Sequence, residues 1–234
     1  MVQFFESLKT LLYRNLIEDQ YYMLLLKGLG TTLVITLFAC MLGIIIGLLV
    51  SLMKLTEEKK GRKTIWSRIA NVYIDIIRGT PAVIQLLIMY QIVFAKIPVS
   101  KVIIAIFAFG INSGAYVAEI FRGGIQSVDK GQMEAGRSLG FTYKATMKLI
   151  IIPQAIKNIL PALGNEFIVL LKETSIVGYI SLIDLTKAGD FIVSRTYSAY
   201  VPLLTVAVIY FIIVKILTKC LQMLERRLRQ SDIR

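Results

Sequence analysis

The stretch DKGQMEAGRSLGFTYKATMKLIIIPQAIKNILP, Asp129–Pro161, decides how the rest of the sequence is read. It is a polar, basic, glycine-punctuated interruption in a chain otherwise dominated by apolar runs. Asp129 with Gln132 three residues on approaches a capping-box pattern, so a helix can begin near Lys130. Gly140 is a natural stop for it. Thr142 can cap a second helix, in which Tyr143, Met147, Ile150 and Ile151 share one face while Lys144 and Lys148 sit on another. Pro153 follows. Two short helices with a glycine elbow make a rigid, partly amphipathic knob; the plainer alternative is an ordinary structured loop.

Composition says what surrounds this knob. Of 234 residues, 56% are hydrophobic, and the mean hydropathy is +0.69. A water-soluble domain of this length shows more polar surface, which points to a multi-span membrane protein with one membrane domain over residues 1–234. The formal net charge of +12 then reads as basic cytoplasmic loops rather than a nucleic-acid surface. Cys40 and Cys220 are too isolated for a disulfide framework or a metal signature. Histidine is absent, which removes His-based catalysis and His-ligated metals. At the N-terminus, Phe4, Leu8, Leu11, Leu12 and Leu16 share a helical face over about residues 3–18. Either a helix lying on the membrane surface or packing against the bundle fits that pattern.

Five spans follow along the chain. The charge-free run Gly28–Met53 would form a helix about 39 Å long, enough to cross with tilt. The second span, near 74–95, brings Asp75 and Arg78 into the membrane and contains Arg78-Gly79-Thr80-Pro81, where a break or kink is expected. The third runs from about Val102 to Phe121, the fourth from about Leu160 to Ile180, and the fifth over about Val201–Leu217. Gly43/Gly47 and Gly110/Gly114 are small-xxx-small pairs suited to close helix contact. With the N-terminus outside and the C-terminus inside, the cytoplasmic segments hold 18 Lys and Arg against 7 outside. That bias orients the chain and puts residues 129–157 in the cytoplasm.

Glu134-Ala135-Gly136, three residues, Gly140, nine residues, then Ile150-Ile151-Ile152-Pro153 resembles the EAA loop of bacterial ABC importer permeases. Gly136 stands where that motif has its second alanine, and Ile152 where it has leucine. Further blocks in order are similar to the polar amino acid branch (histidine, arginine, lysine, glutamine and glutamate permeases). They are Arg78-Gly79-Thr80-Pro81 with Gln85-Leu86, Asn112 to Arg122, Gly131-Gln132, and Lys172 with Thr174-Ser175. The resemblance implies an all-α type I ABC importer transmembrane domain in the bacterial inner membrane. It implies that the knob is a coupling helix, with Met133, Glu134, Ala135, Gly136, Arg137 and Gly140 meeting an ATPase subunit. Local pairing of Glu134 with Arg137 is the alternative role for those two charges. No GxxxxGK[ST] stretch occurs in this chain, so ATP and magnesium would be bound by the partner ATPase dimer, and the chain itself would carry no cofactor.

A zwitterionic amino acid needs an acceptor for its ammonium and donors for its carboxylate, facing a wet cavity near the membrane centre. Helical rise places Asn112 about 17 Å from Lys101 and Glu173 about 18 Å from Pro161, so both reach similar depth. The candidate substrate residues are therefore Asn112, Tyr116, Glu166, Lys172, Glu173, Thr174 and Ser175. Ion pairing with neighbouring helices is the competing role, above all for Glu119 and Glu166 beside Arg78 or Arg122. Intramembrane acids (Asp75, Glu119, Glu166, Glu173) outnumber bases (Arg78, Lys172), which leans towards a cationic substrate, with a glutamine or glutamate importer as the alternative. The expected partners are the ATPase subunits, a second identical or homologous permease and an external substrate-binding protein. An intramembrane enzyme using Glu119, Glu166 and Glu173 as acid/base groups is the reading from another class, and no nucleophile or cofactor motif accompanies those acids.

Overall fold

The computed structural model describes residues 13–60 and 64–230. Every regular element among them is helical. A π-helical turn, Tyr13–Ile17, precedes α1, Tyr21–Lys60. Next come α2 (Ile65–Arg78) and α3 (Ala82–Ile88), the latter prolonged by the π turn Met89–Val93. α4 covers Lys101–Gln126, and α5 covers Lys130–Ser138. α6 (Tyr143–Thr146) passes through the π turn Met147–Ile151 into α7 (Ile152–Glu173). A 3-10 helix, Thr174–Ile180, leads to α8 (Leu185–Thr196) and α9 (Tyr200–Gln230). Most of the expected surface helix at about 3–18 lies outside the described residues; within them, Leu16 packs on an apolar core rather than standing away from it.

Among the described residues three helices are long and apolar enough to cross a bilayer, Tyr21–Leu55, Lys101–Gln126 and Tyr200–Leu228, and the broken pair Ile65–Arg78 with Ala82–Val93 adds a fourth candidate. These contain the first, third and fifth expected spans. The second is interrupted where proline chemistry demands it: α2 stops at Arg78, Pro81 sits at φ −64° and ψ 137° ahead of α3, and the Thr80 hydroxyl donates to the Ile76 carbonyl at 2.8 Å. The expected fourth span comprises the second half of α7 and the 3-10 helix. Glu166, Lys172 and Glu173 lower its apolar character, so length and composition alone do not single it out as they do the others.

Pro153 ordinarily would close a helix, yet α6 and α7 run on through it. The preceding π turn is the reason. Its bonds reach five residues back, the Ile152 amide donating to the Met147 carbonyl, and this loosened turn accommodates the missing N–H. The Gln154 side-chain amide donates to the Ile150 carbonyl at 2.9 Å in the same turn.

The chain divides into two compact units. The first comprises, of the described residues, 13–39, 81–109 and 169–216. Its core gathers Leu25, Leu185, Ala188, Ile192 and Val206, with Leu16, Tyr21 and Ile209 packed against them. Asp184 caps α8, its carboxylate accepting the Lys187 and Thr186 amides at 2.8 and 3.1 Å. The cap lies directly on α1: a Cβ at Gly28 would stand 2.5 Å from the Asp184 carbonyl oxygen, and the Leu185 amide donates to the Thr32 hydroxyl at 3.2 Å. Burial pushes the Asp184 carboxyl above its ordinary pKa, while the amide donors act in the other direction.

The second unit comprises, of the described residues, 40–60, 64–80, 110–168 and 217–230. Its core holds Val50, Ala70, Ile74, Ala115 and Ala118. Gly43 and Gly47 of α1 face Ser113 and Val117 of α4, while Gly110 and Gly114 of α4 face Leu42 and Ile46 of α1. The two small-residue pairs therefore serve packing inside this chain. The Tyr73 hydroxyl donates to the Ile111 carbonyl, fastening α2 to α4 in the same unit.

Candidate functional site

The knob forms within the second unit. Asp129 accepts the Gly131 amide at 2.7 Å and starts α5. Its bond goes to the second helical residue rather than completing a box with Gln132. α5 ends at Ser138, and Gly140 takes φ +86°, a left-handed conformation that a side chain would strain. The Phe141 amide reaches back to the Gly136 carbonyl at 3.1 Å, and Thr142 caps α6 by accepting the Ala145 amide at 3.2 Å. These bonds all run between residues a few positions apart, so Asp129–Thr142 folds into one corner through its own local contacts.

Glu134, Ala135, Arg137 and Gly140 are exposed on this corner, Met133 is half-buried and Gly136 is buried. Arg137 donates to the Phe141 carbonyl at 3.0 Å, bracing the elbow, so its local role is this bond. Two residues that sequence reasoning passed over join the exposed face: Leu139, 77% exposed, and Phe141, 41% exposed. Their signal was present in the sequence as two apolar residues flanking Gly140. On the buttress, Tyr143, Met147 and Ile150 are half-buried and Ile151 is buried, while Lys144 and Lys148 face out, as the periodicity predicted. Thr146, fully buried, was missed.

The other expected site residues fall into two groups, one per unit. In the second unit, Asn112 is 3% exposed. Its neighbour Ser113 donates to Glu166 at 2.8 Å, joining α4 to α7. The Arg78 guanidinium lies 5.5 Å from the centre of the Tyr116 ring, a cation–π approach. Glu119 is an ion partner: Lys54 stands 2.9 Å from one carboxylate oxygen and Arg122 2.6 Å from the other. Lys54 lies 65 residues away in sequence, among the basic residues that the charge count assigns to the cytoplasmic side.

In the first unit, Lys172 is exposed, Glu173 and Ser175 are half-buried, and Thr174 is buried. The Thr174 hydroxyl donates to the Leu171 carbonyl at 2.8 Å, which occupies its proton in the helix. Ser175 lines an open cleft of about 370 Å³ with Tyr179, Thr186, Lys187 and Asp190. Lys187 and Asp190, one turn apart on α8, pair at 2.6 Å. Among the described residues no cluster of acidic or Cys side chains could hold a metal.

Residues 39–230 match the family described as binding-protein-dependent transport system inner membrane component. Among curated relatives, the arginine transport system permease protein ArtQ of Bacillus subtilis is 40% identical over 212 residues, covering 89% of this chain and 94% of its own. The glutamine transport system permease protein GlnP of Escherichia coli is 36% identical over 209 residues, covering 88% and 93%. A solved amino acid ABC transporter, crystallised with histidines, aligns with a TM-score of 0.81 at 46% identity over 89% of this chain and 96% of that one. The chain belongs to the family of binding-protein-dependent transport system inner membrane components, the permease subunits of ABC importers.

Proposed function

We propose that this chain is the membrane-spanning permease of an ABC importer for polar amino acids, in which ATP is hydrolysed on a separate subunit. The observation that carries the reading is likeness along nearly the whole chain to permeases of that class, at 40% identity for the arginine protein and 46% for the solved transporter. The capped knob supports the mechanical part. Glu134, Ala135, Arg137, Leu139 and Phe141 present charge and apolar area on a corner that cannot easily deform, which suits the transmission of a partner's motion. Closure of an ATPase dimer on ATP would carry two such knobs with it and alternate access to the spans between the two sides. Asn112, Tyr116 and Glu166 in one unit, and Lys172, Glu173, Thr174 and Ser175 in the other, are the candidates for substrate contact.

A basic amino acid is the preferred substrate. Glu119 leaves the count of intramembrane acids because Lys54 and Arg122 compensate it. The other intramembrane acids are Asp75, Glu166 and Glu173, with Arg78 and Lys172 as bases, and the reading leans on two relatives, one named for arginine and one crystallised with histidines. The test is uptake into vesicles holding this permease with its ATPase and binding protein, offered arginine, lysine, histidine, glutamine and glutamate in turn. Arginine or lysine in first place supports the preference, and glutamine in first place reverses it. For coupling, Glu134→Lys should abolish substrate-stimulated ATP hydrolysis while the chain still inserts. Full stimulation in that variant would remove the knob from the mechanism.

A further inference from the structure

Gly136 presents a contradiction in helix chemistry. It lies inside α5, where alanine is the better helix former, and the motif that this loop resembles has alanine there. The reason sits across the elbow. A Cβ at Gly136 would meet Cγ2 of Thr146 at 2.5 Å, well inside contact, with Oγ1 of Thr146 at 3.0 Å and the flexible tip of Ile150 at 3.1 Å. Thr146 cannot turn its methyl aside freely. Its hydroxyl donates to the Thr142 carbonyl at 3.1 Å, its side chain is fully buried, and Thr142 is itself the cap of that helix. The branch that would have to rotate is pinned at one end by this bond and at the other by packing.

We infer that Gly136 and Thr146 are a size-matched pair that sets the angle between the docking helix α5 and its buttress. The threonine methyl occupies the space that an alanine methyl at residue 136 would need. Neither residue meets the partner directly. They are positioning residues, and they act through the exposed face of Glu134, Arg137, Leu139 and Phe141. This rests on the coupling role proposed above.

The pair predicts a specific pattern of loss and rescue in the reconstituted importer. Gly136→Ala should lower substrate-stimulated ATP hydrolysis by about ten-fold, the scale an overpacked contact carries, while the ATPase subunit still co-purifies with the permease. Adding Thr146→Ser removes the clashing methyl and keeps the hydroxyl, so the double variant should return to within about two-fold of Thr146→Ser alone, as expected when a coupled pair is changed together. Gly136→Ala with Thr146→Val keeps a methyl in the contested place and should stay impaired. Wild-type stimulation in Gly136→Ala, or equal rescue by serine and valine, overturns the inference. Glu134→Lys run alongside separates the two readings. If it too leaves stimulation intact, the coupling role fails; if it abolishes stimulation while the serine rescue is missing, only the Gly136–Thr146 pairing fails.

Discussion

Glu119 illustrates how a single side chain changes meaning once its neighbours are known. Its carboxylate lies between Lys54 and Arg122, at 2.9 and 2.6 Å, with side chains only 19–36% exposed. Arg122 also donates to Gln126 at 2.8 Å, which holds the guanidinium in place. Glu119→Gln keeps the shape and removes the charge, leaving two cations facing each other in a partly desolvated place. The expected cost is about 1–3 kcal/mol, read as a lower thermal midpoint of the detergent-solubilised protein. An unchanged midpoint would mean that water already screens all three charges. The Arg122 pairing was legible, because the two residues lie one helical turn apart. The Lys54 pairing was not, since nothing local in the sequence brings α1 beside α4 at that height.

At the scale of elements, α1 offers a matched pair of glycines two residues apart with opposite surroundings. A Cβ at Gly28 would press on the backbone of Asp184 and Leu185, at 2.5–3.0 Å, and backbone cannot step aside. A Cβ at Gly30 would meet nothing within 4 Å. Gly28→Ala should therefore destabilise by about 2–3 kcal/mol, while Gly30→Ala should be neutral or add up to about 1 kcal/mol through helix propensity. Thermal unfolding of the two variants side by side checks this; equal midpoints would mean that α1 and the α8 cap are not packed as described. Both glycines look alike in sequence. Only the close approach of another segment tells them apart, and that is a long-range fact. The corner at Asp129–Thr142 was legible for the opposite reason: its caps, its φ +86° glycine and its helical faces are all set by residues within a few positions of one another. Continuation of the helix through Pro153 was not, because it passes through a π turn that no single residue type announces.

At the scale of the whole molecule, the apolar runs announced a helical membrane protein, and the three long helices bear that out. The spans richest in charge were the hardest to place, since Asp75, Arg78, Glu166, Lys172 and Glu173 interrupt the apolar signal that defines a span. Orientation has a direct check in the native thiols. Cys40 is buried and Cys220 is exposed, and Cys220 lies beside Lys219 within α9, three residues past the end of the expected fifth span at Leu217. With the C-terminus in the cytoplasm, a membrane-impermeant maleimide should label Cys220 in inverted vesicles and leave it unlabelled in intact cells. Labelling from outside would invert the topology and place the knob on the wrong side for any ATP-driven partner.

The π turn at Met147–Ile151 carries one more consequence, which concerns phase. Such a turn amounts to one residue more than an α-helix would use, and one residue is about 100° of rotation. Everything beyond it in the same unit, Glu166 included, is therefore indexed to the elbow through that extra residue. Deleting a single residue there would leave a regular helix, hydrophobic in all the same places. It would also turn Glu166 away from Ser113 or swing the knob off its bearing. The number of residues in the π turn is thus a dial setting, fixed as firmly as the side chains at the elbow.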